Sequence, residues 1–268
     1  MSVTAPQGFR AAGVTTGTGT DHTRDLAVVV NDGPARAAGA VFTDHPEPAA
    51  PVLWTRQVVA GGRVRAVVLH SGGANAATGP LGFQAAHAQA EHTADLLADS
   101  AAEVALCSAG DVGTVPRTDP LNTAVADALA QAARGGGLAA ADAVRTDDTV
   151  AKFAFRRGEG VTVGGMAKGP DASVGSALCV LTTDAALTPE QCQRLVTDAT
   201  ASALAPLTGT NDTVLLMASG AAPVTPDEPA VALLLTRVCE ELAAQIAADT
   251  PASVTSEPGS PQDRQAHQ

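Results

Sequence analysis

The sequence has almost no lysine and almost no aromatic side chains. Lysine occurs at only two positions, Lys152 and Lys168, and aromatic residues make up 2% of the chain, with no tyrosine. With a net charge of −12 there is no basic stripe, which argues against a nucleic-acid or anionic-membrane partner. Because aromatic side chains are so few, the core has to be built from alanine, valine and leucine, and 268 residues are enough for one.

Cysteine motifs, a secretory signal and long apolar runs are missing as well. The four cysteines are widely scattered, with no C-x-x-C pair: Cys107, Cys179, Cys192 and Cys239. This pattern predicts reduced, mostly buried thiols and no metal site. The start "MSVTAPQGFRAAG" lacks the basic and apolar regions of a secretory signal, and no apolar run is as long as a membrane span. We therefore expect a cytoplasmic protein.

Short runs rich in branched residues alternate with amphipathic stretches. The runs predict strands at residues 25–31, 39–43, 64–71, 103–109, 150–156, 161–166, 176–183 and 212–219. The amphipathic stretches predict helices at residues 83–98, 121–133, 188–204 and 228–248. The third helix begins "TPEQ", which places Thr188 as its cap and Gln191 at the capping-box position. This order of elements predicts a layered α/β domain over residues 1–249, and the Pro/Ser-rich residues 250–268 are expected to form a disordered tail.

Three local patterns have both a structural and a functional interpretation. "TTGTGT" (Thr15–Thr20) lacks the third glycine of a dinucleotide fingerprint, and no strand is predicted before it, so a loop is favoured. His87 and His92 are five residues apart on one predicted helix, which does not put them on one face as a zinc pair needs. "CSAGDVG" (Cys107–Gly113) follows a predicted strand and is either a structural turn or a loop that aims backbone N–H groups at an oxyanion.

The stretch from Lys168 to Ser176 carries the most specific chemistry. Ser176 directly follows Gly175 at the start of a predicted strand. One interpretation is a buried strand serine. The other is a self-cleaving nucleophile: the hydroxyl attacks the preceding carbonyl, the ester hydrolyses, and the new α-amine serves as its base. Gly175 would ease the strained turn that the attack requires.

Eight segments, taken in order, resemble one family, the bifunctional ornithine acetyltransferase / N-acetylglutamate synthase of arginine biosynthesis. They are "APQGFRAAG", "DLAVVVNDGPARAAGAVFT", "AAPVLWTRQV", "RAVVLHSGGANAATGPLGFQAAHAQAE", "TDDTVAK", "TVGGMAKG", "VLTTDA" and "TNDTVLLMASGAA". The resemblance implies an αββα sandwich similar to, but distinct from, N-terminal-nucleophile hydrolases. It also implies a chain that cuts itself, here between Gly175 and Ser176, into an α-like part (1–175) and a partial β-like part (176–249).

The resemblance also implies the roles of individual residues. Ser176 stands where the family has its threonine nucleophile, which carries acetyl from N-acetylornithine to glutamate. Gly110 matches the oxyanion-hole glycine, and Ala109 stands where a threonine shares that hole. Thr146 falls in the substrate loop, and Lys168 matches a lysine expected to bind the substrate carboxylate. No cofactor is implied, although some members of the family take acetyl from acetyl-CoA.

The chain departs from the family pattern at several of these positions. The run "KGPDASVGS" is three residues shorter than the family's run from lysine to nucleophile, which predicts slow and partial self-cleavage at most. Ala109 removes a hydroxyl donor, and Asp147 adds a negative charge in the substrate loop. The resemblance ends at Asp249, so we expect the family's C-terminal segment to be missing.

Two functions from different classes therefore remain open. The first is acetyl transfer from N-acetylornithine to glutamate through an acyl-enzyme on Ser176. The second is a catalytically inactive or truncated relative, with a binding role or none. A related self-processing hydrolase is a third hypothesis. The partners expected are the small substrates, with self-association or a separate chain that supplies the missing segment.

Overall fold

The computed structural model describes residues 2–18, 23–169, 177–204, 206–224 and 227–249. Its strands are β1 (Phe9–Val14), β2 (Leu26–Asn31), β3 (Ala37–Phe42), β4 (Ala66–His70), β5 (Val104–Ser108), β6 (Lys152–Gly158), β7 (Val161–Lys168), β8 (Leu178–Thr183) and β9 (Thr213–Ala218). Its helices are α1 (Ala50–Ala60), α2 (Gly79–Leu97), α3 (Thr118–Gln131), α4 (Gly137–Ala143), α5 (Pro189–Ala203) and α6 (Glu228–Asp249). Residues 250–268, the predicted tail, lie outside the described residues.

The strands form two sheets. The first has the order β1-β2-β4-β5, antiparallel except for the parallel pair β4 and β5. The second has the order β3-β9-β8-β7-β6, in which only β8 and β9 run parallel. Helices α1 to α4 pack mainly on the first sheet, and α5 and α6 cover the second. The predicted αββα sandwich is confirmed.

Alternation along the second sheet divides its side chains between two cores. Leu178 and Val180 of β8 join the large apolar cluster shared with the first sheet. Cys179 and Leu181, the residues between and after them, join a second cluster with α5 and α6. Successive strand residues point to opposite faces, so a strand covered on both faces has to be apolar throughout. This explains why β8 and β9 are buried at every position.

The scarcity of aromatic residues leaves Trp54 as the only tryptophan of the chain. It lies in α1, is 8% exposed, and donates a hydrogen bond from Nε1 to the carbonyl oxygen of Val104 at 2.9 Å. Its ring packs edge-on against Phe83 and at a tilt against His87 of α2. One indole thus joins two helices to the first sheet.

All eight predicted strands and all four predicted helices are present, with ends shifted by a few residues. Thr188 caps α5 as predicted, because its Oγ1 accepts from the N–H of Gln191 while Gln191 Oε1 accepts from the N–H of Thr188. Four described elements were not predicted: β1, α1, α4 and a short 3₁₀ helix, Ala101–Glu103. The expectation that no strand precedes "TTGTGT" is wrong, because β1 ends at Val14, directly before Thr15. In the part of the chain that the structure describes, no helix combines the length and the apolar character needed to cross a bilayer.

Candidate active site

Lys168, the predicted carboxylate ligand, is the last residue of β7. It pairs across the sheet with Leu178, the first residue of β8, which pairs in turn with Thr213 of β9. Lys168 is fully buried although it is charged. A buried ammonium needs an opposite charge or several acceptors, and Asp212, just before β9, is an acid close enough to interact with it electrostatically. The lysine therefore belongs to a built polar site at this edge of the sheet.

Asp212 is the acid at the centre of that edge. Its Oδ1 accepts a hydrogen bond from the N–H of Ala177 at 2.5 Å, and its Oδ2 accepts one from the N–H of Gly209 at 2.8 Å. Burial raises the pKa of Asp212 above its usual value, while the backbone N–H donors and the charge of Lys168 act in the opposite direction. Two oxygens thus hold the segments before β8 and before β9 together.

Ser176 and Gly175, the predicted nucleophile and cleavage bond, lie outside the described residues. Ala177, the next residue, is described and is fixed by Asp212. The backbone N–H of Thr213 also donates to the carbonyl oxygen of Ala177, at 3.1 Å. The chain immediately after the predicted nucleophile is therefore tied down on both of its backbone polar groups.

A cavity of about 370 Å³ opens beside Lys168 and Ala177. Its polar lining comes from Lys168, Thr208 and Asp212. Its apolar lining comes from β7, β8, β9, the segment between α5 and β9, and α6, and includes Leu178, Leu204, Leu207, Val214, Ile246 and Ala247. A cavity that is mostly apolar, with a few convergent polar groups, has the character of a small-molecule site.

Gly110, the predicted oxyanion donor, lies two residues beyond β5. Its φ is +106°, and a Cβ there would meet the carbonyl oxygen of Ser71 at 2.7 Å, so only glycine fits. Among the described residues, none accepts a hydrogen bond from the N–H of Gly110. Ala109 differs, because its N–H donates to the carbonyl oxygen of His70 at 2.8 Å and its side chain is a buried methyl group. Of the two predicted positions, only Gly110 has a donor available.

Thr146, the predicted substrate-loop residue, lies between α4 and β6 in a loop held by charged groups. Arg145 donates to the carbonyl oxygens of Asp148 and Thr149, at 3.1 and 3.0 Å. The N–H of Thr146 donates to Asp148 Oδ2 at 3.4 Å, and the N–H of Gly169 donates to Asp148 Oδ1 at 2.9 Å. Asp148 therefore links this loop to the residue that follows Lys168.

The loops after β4 and β5 lie at the same end of the sandwich as this edge of the second sheet. Ser71, near Gly110, donates from Oγ to the carbonyl oxygen of Ala143, which ends the helix before the substrate loop. On the other side, the backbone N–H of Ala50 donates to the carbonyl oxygen of Asn75, and the N–H of the adjacent Ala49 donates to the carbonyl oxygen of Thr210. The structure therefore brings Gly110, the substrate loop and Lys168 to one end of the molecule.

Sequence reasoning did not identify Asp212 or the buried ion cluster beside Thr146 as part of this end. Asp212 was recognisable only as a letter of the segment "TNDTVLLMASGAA". Lys152 contacts Asp148, four residues before it, and Asp249, 97 residues after it. No local spacing connects Lys152 with Asp249, 97 residues away. The scarcity of lysine was the one feature of the sequence that could have singled out Lys152.

The four cysteines offer no competing nucleophile. All four are free and buried, as predicted. Burial raises the pKa of Cys107, Cys192 and Cys239 to about 12, and that of Cys179 well above its usual value. A thiol attacks as its thiolate, so these side chains are unreactive near neutral pH. Within the described ranges, no group of three or more His, Cys, Asp or Glu side chains is arranged to hold a metal ion.

The fold and the end just described define a class of protein. A β-aminopeptidase from a Burkholderia species aligns with a TM-score of 0.61 at 18% identity, covering 91% of this chain and 85% of that one. An Ochrobactrum anthropi aminopeptidase described as a variant of the Ntn hydrolase fold aligns with a TM-score of 0.57 at 16% identity, covering 91% of this chain and 85% of that one. At such identities the likeness concerns the fold alone. The chain therefore has an Ntn-hydrolase-like fold.

More similar proteins identify the family within that class. The ArgJ family model matches residues 10–255, and the chain belongs to the ArgJ family. The arginine biosynthesis bifunctional protein ArgJ of Thermobifida fusca is 56% identical over 257 residues, which cover 93% of this chain and 67% of that protein. ArgJ 1 of Streptomyces clavuligerus is 48% identical over the same shares. The Mycobacterium tuberculosis ornithine acetyltransferase, solved with ornithine, aligns with a TM-score of 0.55 at 37% identity, covering 84% of this chain and 95% of that one.

Proposed function

We propose that this protein transfers an acetyl group from N-acetylornithine to glutamate, with Ser176 as the acyl-carrying nucleophile. The observation that carries the proposal is the edge of the second sheet, where the buried Lys168 ends β7 and the Asp212-anchored Ala177 directly precedes the neighbouring strand β8. A buried ammonium beside the residue that follows Ser176 suits a substrate with a carboxylate next to an acetylated amine. Membership of the ArgJ family supports the same assignment.

The proposed mechanism begins with cleavage of the bond between Gly175 and Ser176. The freed α-amine takes the proton from Ser176 Oγ as the hydroxyl attacks the acetyl carbonyl of N-acetylornithine. The tetrahedral oxyanion accepts a hydrogen bond from the N–H of Gly110, the available donor beyond β5. The C–N bond then breaks, the proton goes to the departing ornithine amine, and acetyl remains on Ser176 as an ester. The amine of glutamate attacks this ester, which gives N-acetylglutamate and restores the hydroxyl.

The chain's own residues predict a weak enzyme of this kind. Ala109 offers a methyl group where the resemblance implies a threonine hydroxyl, and the loss of one oxyanion donor lowers the rate by about 10²–10³. The segment between Lys168 and Ser176 is three residues shorter than in the family, which changes the reach of the nucleophile. We therefore expect measurable but slow transfer.

Transfer of a labelled acetyl group tests the proposal. The purified chain is incubated with N-acetylornithine carrying isotopically labelled acetyl and with glutamate, and labelled N-acetylglutamate is quantified by mass spectrometry. Ser176→Ala, which removes only the hydroxyl oxygen, is the matched control. Product formation that requires Ser176 supports the proposal, and equal rates with the two proteins would refute it. The same assay with acetyl-CoA as donor tests the second acetyl source that the resemblance implies.

The second candidate is a relative that binds ornithine derivatives without reacting with them. Ala109, with its N–H occupied and no hydroxyl, is the observation that favours it. Calorimetry separates the two candidates, because this one predicts binding of N-acetylornithine by a chain that forms no labelled product. In that case Ser176→Ala would leave the affinity unchanged.

A further inference from the structure

The two lysines of the chain are both buried, and only Lys168 has a role in the proposed reaction. Lys152, the first residue of β6, is 1% exposed. Its three ammonium protons have three acceptors: Asp148 Oδ1 at 2.5 Å, Asp249 Oδ2 at 2.5 Å and the carbonyl oxygen of Val150 at 3.1 Å. A compact ammonium fits between two carboxylates and a carbonyl, whereas the planar guanidinium that the chain uses at its other basic positions does not have this geometry. We call Asp148, Lys152 and Asp249 the lysine clamp.

The clamp joins the C-terminal end of α6 to the substrate loop. Asp249 is the last described residue of α6, and it also accepts hydrogen bonds from the N–H and the Oγ1 of Thr149 and from the N–H of Val150. A carboxylate at the C-terminal end of a helix is unfavourable by itself, because that end of the helix dipole is negative. Lys152 offsets this cost and holds the pKa of Asp249 well below its usual value. Among the described residues, Lys152 is the cation that pairs with Asp249 and holds it against the loop.

The other carboxylate of the clamp reaches both predicted substrate-binding positions. Asp148 Oδ1, besides contacting Lys152, accepts from the N–H of Gly169, the residue after Lys168. Asp148 Oδ2 accepts from the N–H of Thr146. The side chain of Asp148 is 5% exposed, so these bonds are shielded from water. One ammonium thus fixes the acid that orients the backbone beside both Thr146 and Lys168.

We infer that Lys152 is a positioning residue. By drawing Asp148 and Asp249 together, it holds the substrate loop and the end of β7 in the arrangement that binds the substrate. The inference rests on the proposed function only in naming N-acetylornithine as the ligand. Replacing the ammonium with an apolar group leaves two buried carboxylates facing each other, and their repulsion pushes the loop and α6 apart.

Hydrogen exchange and ligand affinity, measured on the same variants, test this inference. The change is Lys152→Met, which keeps the length of the side chain and removes its charge. The matched control is Arg156→Met, because Arg156 of β6 pairs with Glu241 of α6 and so joins the same two elements away from the substrate loop. In Lys152→Met we expect the rate of amide exchange in residues 145–150 to rise about tenfold or more. We also expect the affinity for N-acetylornithine to fall about tenfold or more, which corresponds to the loss of one buried hydrogen bond to a charged group. In Arg156→Met we expect neither to change by more than about twofold.

A second variant, Asp249→Asn, keeps the inference testable if Lys152→Met fails to fold. Asp249→Asn keeps the shape of the clamp and leaves Asp148 paired with Lys152, so it should raise exchange at Thr149 and Val150 and weaken the ligand less than Lys152→Met. Unchanged exchange in both clamp variants would overturn the inference. So would faster exchange with unchanged affinity, because Lys152 would then act on the fold alone. If the unmodified chain neither binds nor transfers acetyl, the proposed function fails, and the exchange comparison by itself decides whether the clamp positions the loop.

Discussion

Asp212 Oδ1 accepts a hydrogen bond from the backbone N–H of Ala177 at 2.5 Å, which ties the start of β9 to the residue that follows the predicted nucleophile. The bond crosses 35 positions of sequence, and Asp212 itself is buried. Its consequence is that the backbone of Ala177 is held by this carboxylate as well as by the N–H of Thr213.

Replacement of Asp212 by alanine should destabilise the chain and disturb the predicted cleavage site. The N–H groups of the buried Gly209 and the half-buried Ala177 lose their acceptor, and a buried unsatisfied donor costs about 1–3 kcal/mol. We expect a matching drop in the free energy of unfolding, measured by chemical denaturation. Asp198→Ala, an exposed acid within α5, serves as a second acidic substitution for comparison. A stability loss no larger than that of the control would show that water replaces the carboxylate.

Self-cleavage before Ser176 should be partial. If Ser176 is the nucleophile, intact-mass spectrometry of the purified chain should show residues 1–175 and 176–268 beside the whole chain, since we expect a run three residues shorter than the family's to misplace the attacked carbonyl, and an error of about 1 Å costs about 10²-fold in rate. Ser176→Ala should give only the whole chain, and acetyl transfer should scale with the cleaved fraction. Transfer by a preparation with no cleaved chain would contradict the proposed role of the α-amine.

Lys168→Met should weaken the binding of carboxylate-bearing ligands. A hydrogen bond to a charged group contributes about 1.5–3 kcal/mol, so affinity for N-acetylornithine should fall by about 10- to 100-fold in calorimetry. Arg194→Met is the control, because Arg194 forms an exposed ion pair with Glu228 on the helical layer and should leave the affinity unchanged. An unchanged affinity in Lys168→Met would remove this lysine from the site.

Asp147→Thr should strengthen the same binding modestly. Asp147 is exposed and adds a negative charge to the loop that also contains Thr146, where the expected ligands carry a carboxylate. Solvent screens exposed charges, and such interactions contribute about 0.2–1 kcal/mol, so a gain of a few-fold at most is expected at low salt. The gain should vanish at about 1 M salt, where the Debye length is about 3 Å. A gain that persists at high salt would point to a contact other than charge.

Acid should loosen the end of α6 before it unfolds the rest of the chain. The pKa of Asp249 is held below its usual 3.8, chiefly by the hydrogen bond from Lys152 and then by those from Thr149. A carboxyl with a lowered pKa contributes stability that is complete above its ordinary pKa and is lost as the pH falls through its lowered one. Hydrogen exchange in residues 145–150 should therefore rise as the pH falls below 3.8, after correction for the intrinsic exchange rate. Lys152→Met should abolish this dependence.

The sequence predicts those parts of the fold whose signals are local. Most of the eight strands have continuous apolar runs, β6 combines apolar and charged residues, and the capping box of Thr188 and Gln191 lies within four residues. The α4 helix, "GLAAADA", has seven residues of mostly one size and no side-chain cap, so it has no apolar stripe to recognise. The α1 helix, "APVLWTRQVVA", packs against strands and another helix and is therefore apolar on most sides. Its sequence for this reason lacks the helical periodicity of apolar residues that would have identified it.

The candidate site is predictable only where a residue resembles a family position. Gly110 and Lys168 lie at one end of the sandwich, although no spacing in the sequence relates them. Gly110 follows β5 of the first sheet and Lys168 ends β7 of the second, so their common location depends on how the two sheets pack through their shared core. The lysine clamp is the clearest case, since Lys152 and Asp249 meet only after α6 packs on β6.

Trp54 gives the molecule a single intrinsic fluorophore at a defined, buried position. With no tyrosine in the chain, the near-ultraviolet absorbance and the emission come almost entirely from one indole enclosed between α1, α2 and the first sheet. Its signal reports whether that helical layer remains closed. Among the described residues, the hydrogen bond and ring contacts of the indole are with Val104, Phe83 and His87 and include no residue of the substrate loop. Fluorescence and hydrogen exchange therefore report on two regions in the same sample. A ligand that slows exchange in the substrate loop and leaves the Trp54 emission unchanged can be recognised without any label.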